Sequence, residues 1–333
     1  MAVGTTIASN KGVIENSCNI IGMFNQNSIE FVFDHTGNSN TTAEVVVGSY
    51  HFEAMKIETI DANNDRYYID LSDILSKVAP LAPLTVATTN LLTSVVIACN
   101  GLSSAGAVLG TSASETVLLC YGIKGIGENA VFETMALLGG GQTINHNGKI
   151  CFYWNGSAGN FDLVLQKLDE TEITHNYSLV NGFNIIDLDS TQLYSGHLYY
   201  GTNLGITLEY RPPSTNEISW ISKEGKWSFW TFRQLAEETE SKWTGEINNY
   251  GKRNTDILLK SRMLNNDSSI QISYDTVAMD EDHYQKLVDI SRSPSIIVGT
   301  YPMKFISASK RVTCRQNLNF KLTLEQDLYA VSY

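Results

Sequence analysis

Charged side chains are scarce in this 333-residue chain, at 17% against about 25% in a typical globular protein. Gly, Ser, Thr and Asn fill the gap, and they bring turns and strands rather than long helices. Within the small charged set, bases are the scarcer sign: 23 Lys and Arg face 35 Asp and Glu, for a net charge of −12. That sign repels duplex phosphate and anionic lipid, so sequence-specific nucleic-acid binding is not expected. A long apolar run is missing too. The most apolar stretch, "LLTSVVIACNGLSSAGAVLG", is interrupted by Asn100, Gly101 and serines. It falls short of the roughly 20 residues of a membrane span, so no membrane insertion is expected. The opening "MAVGTTIASNKGVIENS" has no basic segment followed by an apolar one, which argues against a secretory signal.

Cysteine is sparse and unpatterned. The five are Cys18, Cys99, Cys120, Cys151 and Cys314, an odd number at wide spacing with no CxxC. Neither a disulfide framework nor a zinc site fits, and buried free thiols in a reducing compartment are expected.

The motifs of catalysis are equally hard to find. His35, His51, His146, His175, His197 and His283 form no HxH or HExxH, so spacing supports no metal site. There is no GxSxG and no GxxxxGK[ST]. Gly122, Gly125 and Gly127 read GxxGxG rather than GxGxxG, without βαβ alternation around them; a glycine-rich turn explains them. Asp280, Glu281 and Asp282 are explained by the entry of a helix, where the dipole favours negative charge. No catalytic, cofactor-binding or metal residue is assigned. Paired carboxylates can be dispersed through a sequence, so a hydrolase with a scattered site stays open as a third reading.

What is present is strand. In "SIEFVFD", Ile29, Phe31 and Phe33 alternate with Glu30, Val32 and Asp34, the period of a half-buried strand. "AEVVVGSYHFEAMKIETI" is β-branched and aromatic. "YYIDLSDILSKVAP" differs: Asp70 caps, Leu71, Ile74, Leu75 and Val78 fall at helical spacing, and Pro80 closes a short helix. "LLGGGQTINHNGK" is the clearest loop, and "KICFYWNG", "FDLVLQKL" and "GFNIIDLD" are short strands. The pattern predicts a mainly β protein of sandwich-like or barrel-like domains with a few short helices. Length suggests about two domains: a β-rich region over 1–205, with a possible subdivision near 139, and a C-terminal β domain over 206–333 with a helix near 280–293.

The densest feature is "EISWISKEGKWSFWTFRQ". With Trp243 it holds four of the five tryptophans: Trp220, Trp227, Trp230 and Trp243. Gly225 supplies the turn of a hairpin. Trp227 and Phe229 fall on one face of the return strand, Trp230 and Phe232 on the other. Aromatics on both faces want cover, so core comes first. An interface anchor or a ligand-stacking platform are the other readings of these four tryptophans.

Three segments of the C-terminal half resemble tail and baseplate proteins of tailed bacteriophages, especially those of Bacteroides-type hosts. They are "ISWISKEGKWSFWTF", the helix-then-strand segment "DEDHYQKLVDISRSPSIIV", and the closing pair "YPMKFISASKRVTCRQNLNFKLTLEQ", which is similar to the end of tail-tube-like domains. "YIDLSDILSKV" resembles a short helix of the same proteins. The likeness touches about half of the chain, mostly after Gly205. Such proteins commonly carry two glycines in the tryptophan hairpin, where Glu224 and Lys226 here flank Gly225 alone. The resemblance implies a virion structural protein without catalysis or cofactor, made in the host cytoplasm. It would be a homo-oligomeric ring or adaptor in the distal-tail or baseplate region, with itself and other tail proteins as partners. The alternative is a carbohydrate- or receptor-binding module, with Trp227, Trp230 and Trp243 stacking on sugars.

Overall fold

The computed structural model describes residues 8–9, 12–13, 20–23, 28–34, 41–78, 82–88, 91–122, 143–146, 149–154, 158–188, 192–194, 197–201, 206–210, 216–222, 225–248, 261–276, 284, 287–313 and 317–327. Strands make up most of these residues, and Ser72–Val78 is an α-helix. The fold is mainly β, with curled antiparallel sheets forming half-barrels.

The first sheet has nine strands. In spatial order they are Gly12–Val13, Ala8–Ser9, Ser28–Asp34, Asn64–Asp70, Tyr50–Thr59, Thr42–Val47, Leu92–Leu102, Val108–Cys120 and Ile20–Gly22. Alternation decides which face is buried. Ile29, Phe31 and Phe33 point into the core, and Phe31 stacks on its cross-strand partner Tyr67 at 5.6 Å. Three strands separate Ser28–Asp34 from Leu92–Leu102 in this order, yet the Phe33 ring lies directly on Gly101. Only a curled sheet can bring those strands face to face. Gly101 leaves the ring its space, since a Cβ there would overlap it.

The helix Ser72–Val78 follows its predicted grammar. The Asp70 carboxylate accepts from the Ser72 backbone N–H at 2.9 Å and from its hydroxyl at 2.6 Å, satisfying an N-terminal donor. Leu71, Ile74 and Leu75 are buried against the sheet.

A second sheet runs Thr143–His146, Ile206–Tyr210, Leu198–Gly201, Gly159–Gln166 and Glu172–Leu179. Beside it, Lys149–Trp154 pairs antiparallel with Gly182–Asp187. Here the loop expected across "LLGGGQTINHNGK" needs correction. Thr143–His146 is a strand, parallel to Ile206–Tyr210 and about 60 residues from it in sequence. Local turn chemistry could not announce so distant a partner. Glycines 139–141 lie outside the described residues.

The third sheet has seven strands: Trp227–Thr231, Glu217–Ile221, Ile296–Val298, Tyr301–Thr313, Asn317–Asp327, Ser261–Asp275 and Arg233–Asn248. Phe320, Leu322 and Leu324 alternate into its core as the pattern of "NLNFKLTLEQ" predicts. Tyr284, Leu287 and Val288 are helical and run into a 3-10 turn, Asp289–Arg292. Leu287 and Ile290 cover the buried face. The acidic entry residues Asp280, Glu281 and Asp282 lie outside the described residues.

Candidate functional site

The aromatic stretch folds as the hairpin Glu217–Ile221/Trp227–Thr231, in a register from Glu217↔Thr231 to Ile221↔Trp227. Gly225 makes the turn at φ 79°. Its N–H donates to the Ser222 carbonyl at 2.9 Å. A Cβ on Gly225 would meet the Cys120 sulfur at 3.0 Å, so the turn packs closely on the first sheet. The two faces divide between two cores. Ile221, Trp227 and Phe229 join the core of the first sheet, together with Ile97, Cys99 and Tyr121. Ile218, Trp220, Trp230 and Phe232 join the core of the third sheet. Trp220, Trp227 and Trp230 are 2%, 1% and 3% exposed. No ring face is left on these three for a sugar or a partner. They bind the protein's own layers together, because burying a large aromatic contributes about 1.5–3 kcal/mol.

Two polar features pin this hairpin in place. The Trp227 indole N–H donates to the Ala87 carbonyl at 2.7 Å, across 140 residues of sequence. At the hairpin's other end, Lys149 donates to Glu217 at 2.9 Å and sits 5.7 Å from the Phe229 ring centre. Burial raises the Glu217 pKa, the Lys149 ammonium opposes this, and Asp187 adds to the rise. This ion pair ties the two-stranded ribbon Lys149–Trp154/Gly182–Asp187 to the third sheet.

Titratable chemistry elsewhere is muted. Cys99, Cys120 and Cys151 are buried thiols, and burial pushes each up to about 12. A neutral buried thiol is a poor nucleophile and a poor metal ligand. Cys18 and Cys314 lie outside the described residues, as do His35, His283, Gly125 and Gly127. His51 Nδ1 lies 3.0 Å from Glu44, and His175 is buried. Among the described residues, no group of three or more His, Cys, Asp or Glu is placed to hold a metal, and no helix is long and apolar enough to cross a membrane.

The feature that sequence reading missed is the hairpin Arg233–Asn248/Ser261–Asp275. Its strands are 16 and 15 residues long. They pair from Arg233↔Asp275 to Asn248↔Ser261, with a bulge between Gln234 and Ala236. Within this hairpin, the neighbouring strand Asn317–Asp327 pairs with Ser269–Asp275 and no further. Ser241–Asn248 and Ser261–Ser268 therefore run on as a two-stranded ribbon, with no third strand among the described residues. At a rise of about 3.4 Å per residue, eight residues reach ~27 Å past the sheet. Trp243, the fourth candidate tryptophan, is on this ribbon with its backbone opposite Asn266. The signal was hidden because "LAEETESK" is rich in good helix formers. Cross-strand pairing overrides that propensity.

No family model matches this chain, and no curated protein matches it. Among solved structures it has a likeness to tripeptidyl peptidase 2 (TPP II), at 9% identity and a TM-score of 0.22, over 98% of this chain and 32% of that one. The chain spans about a third of that structure's length. A likeness at this level carries no argument about activity.

Proposed function

We propose that this chain is a structural protein of a tailed-phage virion, a tail-associated ring or adaptor of the distal-tail or baseplate region that works by assembly rather than catalysis. The observation that carries the proposal is the ribbon Ser241–Asn248/Ser261–Ser268. A two-stranded hairpin is marginal by itself in water and gains stability from a covering layer or an added strand. An arm of this kind suits a subunit whose fold is completed by neighbours. The C-terminal segments that resemble phage tail proteins include the two sheet strands, Tyr301–Thr313 and Asn317–Asp327, beside which the arm's hairpin is paired. The net charge of −12 suits a protein beside a DNA conduit, because a basic wall would hold the passing DNA. Head-to-tail contacts that close by rotation give rings. The sugar-binding alternative is weakened, since Trp227 and Trp230 are buried and cannot stack on a ligand.

The test is the native mass of the full-length protein with negative-stain images. Closed rings or stacked polymers are the expected result. A stable monomer at high concentration, with no affinity for tail components, defeats the proposal.

A further inference from the structure

The second sheet ends on an open edge. Glu172–Leu179 is its last strand, paired with Gly159–Gln166 on one side and, among the described residues, with no strand on the other. The Lys167 N–H donates to the Thr171 carbonyl at 2.8 Å, which sets the phase of the ladder. In an antiparallel pair, residues that exchange bonds alternate with residues whose backbone groups point away. Ile173, His175, Tyr177 and Leu179 therefore bond to Gly159–Gln166, and the N–H and C=O of Glu172, Thr174, Asn176 and Ser178 face outward. Both ends of this outward row are closed. The Asp169 carboxylate accepts from the Thr171 N–H at 3.1 Å. Asn184 accepts from the Val180 N–H at 3.0 Å and donates to its carbonyl at 2.8 Å.

Between these caps the edge is unguarded. Edges are commonly blunted by brevity, lysine, proline or a bulge. The first sheet ends on Gly12–Val13 and Ile20–Gly22, strands of two and three residues. Glu172–Leu179 has eight, holds no Lys, Arg or Pro, and pairs without a bulge. Its two ends differ in chemistry. The entry carries Asp169, Glu170 and Glu172, and Leu168 beside them is 85% exposed. The exit has no Asp, Glu, Lys or Arg from Ile173 to Ile186, and Val180 there is 56% exposed.

We infer that this edge docks a second copy of the same strand, antiparallel about a two-fold axis beside His175, with Glu172 opposite Ser178 and Thr174 opposite Asn176 of the other copy. In this register all four outward residues bond, giving about eight backbone hydrogen bonds. Each acidic entry meets the uncharged exit of the other copy, so Glu172 faces a serine instead of a second carboxylate. Val180 comes level with the turn that exposes Leu168. A parallel copy would set the two acidic turns side by side. The contact is isologous. It goes beyond the ring reading, whose contacts are head-to-tail, and joins subunits in pairs whether or not they also close into rings.

Thr174→Pro tests it. The substitution removes an outward N–H and spares the ladder to Gly159–Gln166, the setting in which an edge strand tolerates proline. The full-length variant, once shown to have wild-type circular dichroism, is sized by light scattering beside the wild type at the same concentration. Its native mass should be half: dimers become monomers, and rings joined in pairs become single rings. Equal masses overturn the contact, and if both proteins are rings the ring reading stands. Two monomers overturn the contact and count against the ring reading as well. Should Thr174→Pro fail to fold, charge reads the register independently. Ser178→Glu puts a carboxylate opposite Glu172 of the other copy, and the two-fold repeats the repulsion, so association should weaken about tenfold. Adding Glu172→Lys in the same chain should restore it. No weakening, or no rescue, overturns the pairing.

Discussion

Replacing Gly101 by alanine sets two effects of opposite sign against each other. On propensity alone alanine should help, since a glycine inside a strand loses more backbone freedom on folding, by about 0.5–1 kcal/mol. Sterics say otherwise. A Cβ at Gly101 would fall closer than 3.0 Å to three carbons of the Phe33 ring, Cζ, Cε1 and Cε2. Phe33 is 2% exposed in the centre of the first core, so the ring has no solvent to move into. Overpacking a filled core costs about 1–3 kcal/mol, occasionally more. Overlap with a whole ring edge belongs at the upper end, so a net loss of ~2–3 kcal/mol is expected after the propensity gain. Urea unfolding followed by circular dichroism measures it. Trimming the ring should restore room: Phe33→Leu with Gly101→Ala should lose at least ~1 kcal/mol less than the two single losses added together. Gly101→Ala within about 0.5 kcal/mol of wild type, or strict additivity, would refute the curled sheet that brings these two strands together.

Lys149→Met leaves Glu217 buried without its cation. A carboxyl whose folded pKa lies above its unfolded value holds its proton more tightly when folded, so its contribution favours the fold at low pH and declines as pH rises through that interval. Burial already raises Glu217, and losing Lys149 removes the opposing influence. The variant should therefore lose about 2 kcal/mol at pH 7.5, less than a fully buried pair because Lys149 is 32% exposed, and less still below pH 5. A loss independent of pH counts against this account. Trp227→Phe keeps most of the ring but removes the donor to Ala87, and should cost about 1–3 kcal/mol in the same unfolding assay; a neutral result would mean that this bond does not hold the hairpin to the first sheet. Thiol titration of the native protein should find Cys99, Cys120 and Cys151 unreactive until denaturant is added, because burial holds them near 12 and out of reach. Fast labelling of Cys120 would contradict its place beneath Gly225.

The sequence by itself determined the elements whose signal is local. Ile29, Phe31 and Phe33 state their strand by a period of two, Asp70 states its helix by capping, and the aromatics on both sides of "WSFWTF" require cover on both faces. Each rests on chemistry within a few residues, which a linear reading can weigh. Tertiary structure alone decided the rest, because pairing distant segments is a matter of long-range complementarity. Phe33 meets Gly101 only after the sheet curls. Thr143–His146 becomes a strand only because Ile206–Tyr210 arrives beside it. "LAEETESK" leaves its helical preference because Asp267–Ser273 pairs along it. Trp220, Trp227 and Trp230 could be weighed as core, anchor or platform from the sequence, and their burial between two sheets makes them core. Trp243 is set apart from them by register, on a ribbon that outruns its sheet, and no local pattern of residues records how far a neighbouring strand extends.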